Sequence, residues 1–252
     1  MMLYIRSLIF TVVMVSTIPL FVLPGLMLYP FPYRVRYGFL SCWAKTIVWW
    51  LRWICNLRHE VIHSDRIPQG PAIVMCKHQS AWETIALQAI FPPQVWVLKR
   101  ELIWVPIFGW ALYMLESIAI DRSSGRKAVE QVIAQGIQRL QTGKWIVIFP
   151  EGTRVAPGHK KKFGIGAAVL AEKSGYPVVP VAHNAGDFWR RRSMVKKPGI
   201  IKVVIGDTID PAGKTAAEIN QIAEQWINET VEQISETKYK EQAQATVAKG
   251  GV

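Results

Sequence analysis

Between Ser7 and Tyr33 the chain carries no charged residue, and the run Leu8 to Leu28 is long enough to cross a hydrocarbon core that needs about 20 apolar residues. Pro19 and Pro24 interrupt it, so the pattern leaves open both a kinked span and a helical hairpin that dips into one leaflet. A cleaved signal peptide fits less well, because Arg6 is the sole charge ahead of the run and no small-x-small site closes it. Arg34, Arg36, Lys45, Arg52 and Arg58 follow, a bias that places the rest of the chain on the cytoplasmic side of an inner or cytoplasmic membrane.

From Phe39 to Leu57 apolar and polar positions separate at helical period. Trp43, Ile47, Trp50, Ile54 and Leu57 share one side; Ser41, Lys45, Arg52 and Asn56 share the other. The spacing predicts a helix at a lipid–water interface, where Trp43, Trp49, Trp50 and Trp53 would sit at headgroup level; an ordinary core helix is the plainer alternative. Beyond His59 the pattern alternates. Strand-like runs at Ala72 to Cys76, Val95 to Leu98, Ser117 to Ile120, Trp145 to Phe149, Val178 to Val181 and Ile200 to Ile205 are interleaved with helix-like stretches, clearest at Arg126 to Leu140, Gly164 to Lys173 and Ala216 to Ile234. This predicts an α/β domain, a mixed sheet flanked by helices, joined to an N-terminal membrane-embedded two-helix segment. The expected division is an anchor with its interfacial helix over 1–58, the α/β domain over 59–235, and a polar tail over 236–252 that lacks an apolar period and is expected to fray.

Composition sharpens this picture in two ways. A length of 252 residues suits one sizeable domain, and half the residues are hydrophobic with a mean hydropathy of +0.17, concentrated at the start. That favours membrane attachment. The net charge of +12 and pI near 9.8 call for anionic partners, whether nucleic acid, anionic lipid headgroups or acidic acyl carriers. Nucleic acid is disfavoured, since no nucleic-acid motif accompanies the charge. Cys42, Cys55 and Cys76 have neither disulfide nor metal-ligand spacing, and on one helix Cys42 and Cys55 would stand about 20 Å apart.

The chemistry concentrates in two runs. Lys77-His78-Gln79-Ser80-Ala81-Trp82-Glu83 follows an apolar strand and places an imidazole five residues from a carboxylate. Ser80 to Glu83 also reads as a capping box, in which Glu83 would satisfy its own helix start. Phe149-Pro150-Glu151-Gly152-Thr153-Arg154 follows another apolar strand. Here Gly152 lets backbone approach a ligand, Arg154 offers a forked donor for phosphate, and Glu151 has either a hydroxyl or Arg154 to hold.

In this order the two runs resemble the 1-acyl-glycerol-3-phosphate acyltransferases, and the likeness extends through four blocks. The first is His78 to Glu83, where most members carry aspartate in place of Glu83. The second is Lys99-Arg100-Glu101-Leu102, Pro106, Gly109-Trp110 and Ile118-Ala119-Ile120-Asp121-Arg122; in the family it lines the acceptor side, which nominates Lys99 and Arg122 for phosphate contact. The third is Glu151, Gly152, Thr153 and Arg154 with the two residues before them. The fourth is Val178-Val179-Pro180-Val181, read as a buried strand with a proline at its exposed end.

The resemblance implies transfer of an acyl group from acyl-CoA or acyl-acyl carrier protein to the sn-2 hydroxyl of lysophosphatidic acid, giving phosphatidic acid. It implies no metal and no prosthetic group. Imidazole, with an ordinary pKa of about 6.5, suits His78 as the base that takes the alcohol proton, and Glu83 would fix its tautomer and stabilise the imidazolium. Without a GxSxG elbow, direct transfer to the acceptor is expected rather than an acyl-enzyme. The alternatives are another lysolipid acceptor, or a catalytically silent lipid-binding protein. Lys160-Lys161-Lys162 and Arg190-Arg191-Arg192 with Lys196-Lys197 lie outside the blocks, and the sequence assigns them no single anion.

Overall fold

Seven strands align into one sheet in the computed structural model, which describes residues 1–121 and 124–239. Three helices come first: α1 (Met2–Ser16), α2 (Ile18–Leu26) and α3 (Tyr33–Cys55). The strands are β1 (Leu57–Ile62), β2 (Ile73–Cys76), β3 (Gln94–Lys99), β4 (Ile118–Ile120), β5 (Trp145–Ile148), β6 (Val178–His183) and β7 (Gly199–Ile205). Between and after them run α4 (Trp82–Ile90), α5 (Phe108–Met114), α6 (Arg126–Gln141), α7 (Gly166–Ser174), α8 (Ala185–Phe188) and α9 (Ala216–Ile234). The sheet order is β1-β7-β6-β2-β5-β3-β4, parallel throughout except where β7 returns antiparallel to β6. This is the expected mixed sheet flanked by helices.

Each strand of the centre is apolar on both faces because both faces are covered. One face buries Val74, Cys76, Val147 and Val179 with residues of α1, α3 and α4; the other buries Ile73, Ile146 and Val178 with α6, α7 and α9. β2 and β5 are neighbours, with Met75 opposite Ile148, so the segments leaving their carboxyl ends emerge side by side. That register brings together two runs far apart in sequence, at the end of the sheet where open α/β folds bind ligands.

Several expectations change. β1 was not expected as a strand; its Arg58 and Glu60 are exposed on an edge, which mutes the apolar alternation. Pro180 is not at an exposed end but buried inside β6. It is tolerated because its flank meets the segment after β7, where Gly206 N–H donates to the Pro180 carbonyl at 2.9 Å and no ladder bond from a proline nitrogen is needed. In α3 the buried face is Tyr37, Leu40, Ser41, Ala44, Ile47, Leu51 and Cys55, so Ser41 is inside and Trp50 is outside. Trp49, Trp50 and Trp53 instead form an exposed aromatic group, with ring centroids of Trp49 lying 5.0 Å from Trp50 and 6.0 Å from Trp53. The helix thus has a core face and, displaced from it, the tryptophan face. Residues 236–239 are packed, not frayed: Glu236 N–H donates to Asp187 and the Tyr239 hydroxyl to Asn228. The remainder of the polar tail, 240–252, lies outside the described residues.

α1 and α2 lie along the domain. Ser7 and Phe10 are buried, the Phe10 ring meeting Trp189 edge-on at 5.7 Å, while Tyr4, Leu8, Val12, Val15, Leu20 and Leu23 remain exposed. Met2–Leu26 is long and apolar enough to cross a membrane by composition, yet one stripe of it is committed to protein. On the same side a turn over Arg100–Trp104 packs backbone to backbone on α5: a Cβ at Gly109 would stand 1.9 Å from the Ile103 carbonyl oxygen.

Phe10→Ala should remove the main apolar tie between α1 and the domain, lowering stability by about 3 kcal/mol as core phenylalanine truncations do. The check is chemical denaturation in detergent, with faster proteolysis within residues 1–16 as the companion signal.

Candidate active site

His78 leaves the end of β2 and faces the domain's apolar helices; Glu83 sits one residue inside α4. Their side chains meet, His78 Nδ1 to Glu83 Oε1, at 2.8 Å. With a carboxylate as partner Nδ1 carries the proton, which leaves Nε2 as the acceptor. The His78 ring stacks on Phe149, centroids 4.0 Å apart and planes within 12°, so packing fixes its plane while Glu83 fixes its rotation.

The contact of Glu83 with His78 and its contacts with the helix start share one oxygen. Oε1 also accepts the backbone N–H groups of Gln79 (2.9 Å) and Ser80 (2.8 Å), holding the turn that carries His78. Ser80 Oγ accepts from Trp82 N–H instead of closing a full capping box. Burial pushes the Glu83 carboxyl up, but nearby His183, the bond from His78 and the Ser80 N–H outweigh it and leave it below the usual carboxylate range. It therefore stays ionised. Its second oxygen, Oε2, has no hydrogen-bond partner among the described residues and lies 3.9 Å from His183 Nε2.

His183, at the end of β6, escaped the sequence reading. Ala185 N–H donates to its Nδ1 (3.2 Å), so Nε2 bears the proton and donates to the Lys77 carbonyl (2.8 Å). Full burial drives its pKa down, and it stands as a neutral spacer behind Glu83. Lys77 was missed as well. Its ammonium is wholly buried, 2.6 Å from Glu151 Oε1 and 3.2 Å from Asn228 Oδ1 of α9.

The turn after β5 tucks Glu151 inward. Gly152 N–H donates to the Phe149 carbonyl (3.0 Å), and Gly152 takes the left-handed φ of +68° that reverses the chain. A Cβ there would meet nothing within 4 Å, so conformation rather than close packing demands glycine. Glu151 Oε2 accepts His78 N–H at 2.7 Å, and Val155 N–H donates to the His78 carbonyl at 2.7 Å. The carboxylate expected to hold a hydroxyl or Arg154 thus holds Lys77 and the backbone of His78. Burial raises its pKa, Lys77 and the His78 N–H opposing.

A cavity of about 380 Å³ opens from His78, with Arg154 also on its wall. The remainder is almost wholly apolar: Met14, Phe21 and Trp43 from the N-terminal helices, Trp96 and Leu98 from β3, Leu112 from α5. The Arg154 guanidinium has no ion-pair partner among the described residues. Thr153 is half-buried beside it. Lys99 is one residue beyond Leu98 but off the cavity wall, paired with Glu101 at 2.8 Å on the surface. Arg122 lies outside the described residues.

Replacing Lys77 by Met should strand Glu151 as an unpaired buried charge and cost about 3–5 kcal/mol near neutral pH. A carboxyl whose folded pKa is raised opposes folding when ionised, so the deficit should be full above that raised pKa and shrink as pH falls towards the ordinary value of about 4.3. Adding Glu151→Gln should recover part of the loss. Melting of wild type and both variants from pH 8 down to pH 5 checks the sign.

Residues 58–184 match the Acyltransferase family. Over 224 residues the chain is 44% identical to the 1-acyl-sn-glycerol-3-phosphate acyltransferase of Pseudomonas aeruginosa, covering 87% of this chain and 85% of that protein. It is 26% identical to the human 1-acyl-sn-glycerol-3-phosphate acyltransferase beta over 192 residues, 73% of this chain and 69% of that one. The crystal structure of the 1-acyl-sn-glycerophosphate acyltransferase from Thermotoga maritima shares the fold, with a TM-score of 0.75 at 21% identity over 91% of this chain and 94% of that chain. With the His78–Glu83 pair and the Glu151–Arg154 turn built at adjoining strand ends, the chain belongs to the 1-acyl-sn-glycerol-3-phosphate acyltransferase family.

Proposed function

We infer that this protein acylates the sn-2 hydroxyl of lysophosphatidic acid to phosphatidic acid, at the surface of the inner or cytoplasmic membrane, with its catalytic face on the cytoplasmic side. The observation that carries the reading is one cavity whose wall holds an imidazole oriented by a carboxylate, a guanidinium with no ion-pair partner among the described residues, and an otherwise almost wholly apolar lining. Such a lining suits an acyl chain, and its volume is within the range of small-molecule sites. The names of the relatives support the acceptor.

In this reading His78 Nε2 takes the proton of the acceptor hydroxyl as its oxygen attacks the thioester carbonyl. The carbon–sulfur bond then breaks, the thiolate of coenzyme A or acyl carrier protein leaves, and the imidazolium returns the proton to sulfur. Glu83 stabilises that transient imidazolium. Arg154 grips the acceptor phosphate through its fork; Lys99, once released from Glu101, adds charge at the mouth, with Thr153 and the Gly152 backbone framing the turn, and Arg122 is a further phosphate contact that the family resemblance nominates. The donor is a co-substrate, and the scheme calls on no metal or prosthetic group. α1, α2 and the Trp49 group seat in the headgroup region, with the exposed arginines and lysines of residues 34–58 on the cytoplasmic side.

His78→Ala should lower turnover by about 10²- to 10⁴-fold with the fold retained, measured with lysophosphatidic acid and each donor type in detergent. Near-normal turnover would sink the scheme. Glu83→Gln should lose most activity and also loosen the 78–80 turn, because the amide oxygen replaces an ion that accepts three donors. Arg154→Ala should raise the lysophosphatidic acid KM far more than that for monoacylglycerol or lysophosphatidylcholine. Equal weakening of all three, or a wild-type preference for the phosphocholine acceptor, would transfer the proposal to another lysolipid.

A further inference from the structure

The segment from Arg190 to Lys197 joins two parts of the molecule that the catalytic scheme leaves separate. Its far end is clamped on α1: Lys196 N–H donates to Ser7 Oγ at 2.9 Å, while the Lys196 ammonium bonds Thr11 Oγ1 and the Met194 carbonyl. That ammonium lies 5.5 Å from the centre of the Phe10 ring and 4.9 Å from that of Trp189, and is almost wholly buried. A buried lysine enclosed by two aromatic rings and two hydroxyl-bearing residues holds the loop in one place on the helix. Ser7 and Thr11 are one helical turn apart on the side of α1 next to its exposed stripe of Tyr4, Leu8, Val12 and Val15. Met194, itself nearly half exposed, extends that apolar edge.

The near end reaches the catalytic turn. Arg191 Nη1 donates to the carbonyl oxygen of Arg154 at 3.2 Å. Arg190, Arg191 and Arg192 are exposed, and among the described residues no carboxylate pairs with any of them. Arg192 holds a left-handed φ of +59°, a conformation that a residue with a side chain adopts at a cost and that reverses the chain in the middle of this exposed basic run. The bond to Arg154 engages one of five N–H groups on Arg191, and no other partner for that guanidinium is found among the described residues.

We propose that the Arg190–Arg192 loop is a binding surface for the phosphates of anionic bilayer phospholipids, and that through Arg191 its occupancy sets the position of Arg154. Lipid headgroups are the partner because the loop is fastened to the very helix that presents bare apolar side chains. Arg192 is four residues from the Lys196 clamp, a span of at most about 14 Å of chain, which keeps its charge at a distance from that helix comparable with the Debye length of about 8–10 Å. Each arginine so placed strengthens attachment to an anionic surface about five-fold, in a salt-dependent manner. The lipid contact rests on the loop geometry alone; the coupling to Arg154 rests on the acceptor reading above.

The test separates the two. The full chain is reconstituted on vesicles of neutral phosphatidylcholine, or of phosphatidylcholine containing phosphatidylglycerol, and digested briefly with trypsin. Cleavage within Arg190–Arg192 is compared with cleavage after Lys173 on the opposite face of the sheet. Anionic vesicles should slow the loop cleavage at least five-fold relative to the Lys173 site, and high salt should restore it. Equal relative rates on both vesicles overturn the lipid contact, whether or not the chain is active. Protection by soluble acyl carrier protein or coenzyme A on neutral vesicles, without protection by phosphatidylglycerol, also overturns it and gives the loop to the donor.

Coupling is read by kinetics with lysophosphatidic acid at varied surface concentration. In wild type, phosphatidylglycerol should lower the acceptor KM several-fold with little change in kcat. Arg191→Gln should abolish that response, and Arg190→Gln with Arg192→Gln should weaken it while leaving Arg191 in place. An unchanged KM response in Arg191→Gln overturns the coupling even where tryptic protection persists.

Discussion

The buried pair of Lys77 and Glu151 is the joint on which the site hangs. Two parallel strands deliver their carboxyl ends side by side, but adjacency alone does not orient the chains that leave them. One carboxylate oxygen holds the lysine of the first chain and the other holds the next backbone N–H, that of His78. The imidazole is thereby carried on a peptide pinned from below. Desolvating two charges is costly, and such a pair adds little net stability against an apolar substitute; what it supplies is a single permitted register between the two loops. Glu83 then completes the constraint from the other side, spending one oxygen on two backbone donors and the ring.

By the family resemblance, Glu83 stands where an aspartate is usual. The carboxylate reaches back over its own first turn to three donors, and it does so from the second residue of α4. Behind it, His183 contributes a polar but neutral wall. A charged ring there would compete with His78 for the Glu83 charge; the bonds from Ala185 and to Lys77 hold it in the one tautomer that does not.

Much of the architecture was legible because it depends on local pattern. The six apolar runs became β2 to β7, and the helices at 126, 164 and 216 appear within two residues of the expected starts. His78, Glu83 and Arg154 were legible as residue types at telling spacings. Lys77 was not, since a lysine after an apolar strand ordinarily marks the strand's exit to solvent, and its partners lie 74 and 151 residues away. Glu151 was visible, but its direction was not: the turn at Gly152 decides that, and it points the carboxylate into the protein. The face of α3 was misjudged for a related reason. Tryptophan counts as apolar in any periodicity, yet Trp49, Trp50 and Trp53 are outside, and small residues such as Ser41 and Ala44 make the close contact.

The reach of α9 into the site bears on how the molecule is made. Asn228 accepts from the Lys77 ammonium, and Tyr239, whose hydroxyl bonds Asn228, lies with its ring 5.8 Å from that ammonium. Synthesis runs from the amino end, so β2, β5 and the lysine between them are made before α9. Lys77 and Glu151 can therefore meet while the lysine still lacks its final partner, Asn228. The joint beneath His78 gains its closing contact only when α9 packs, from a residue 151 positions further along the chain.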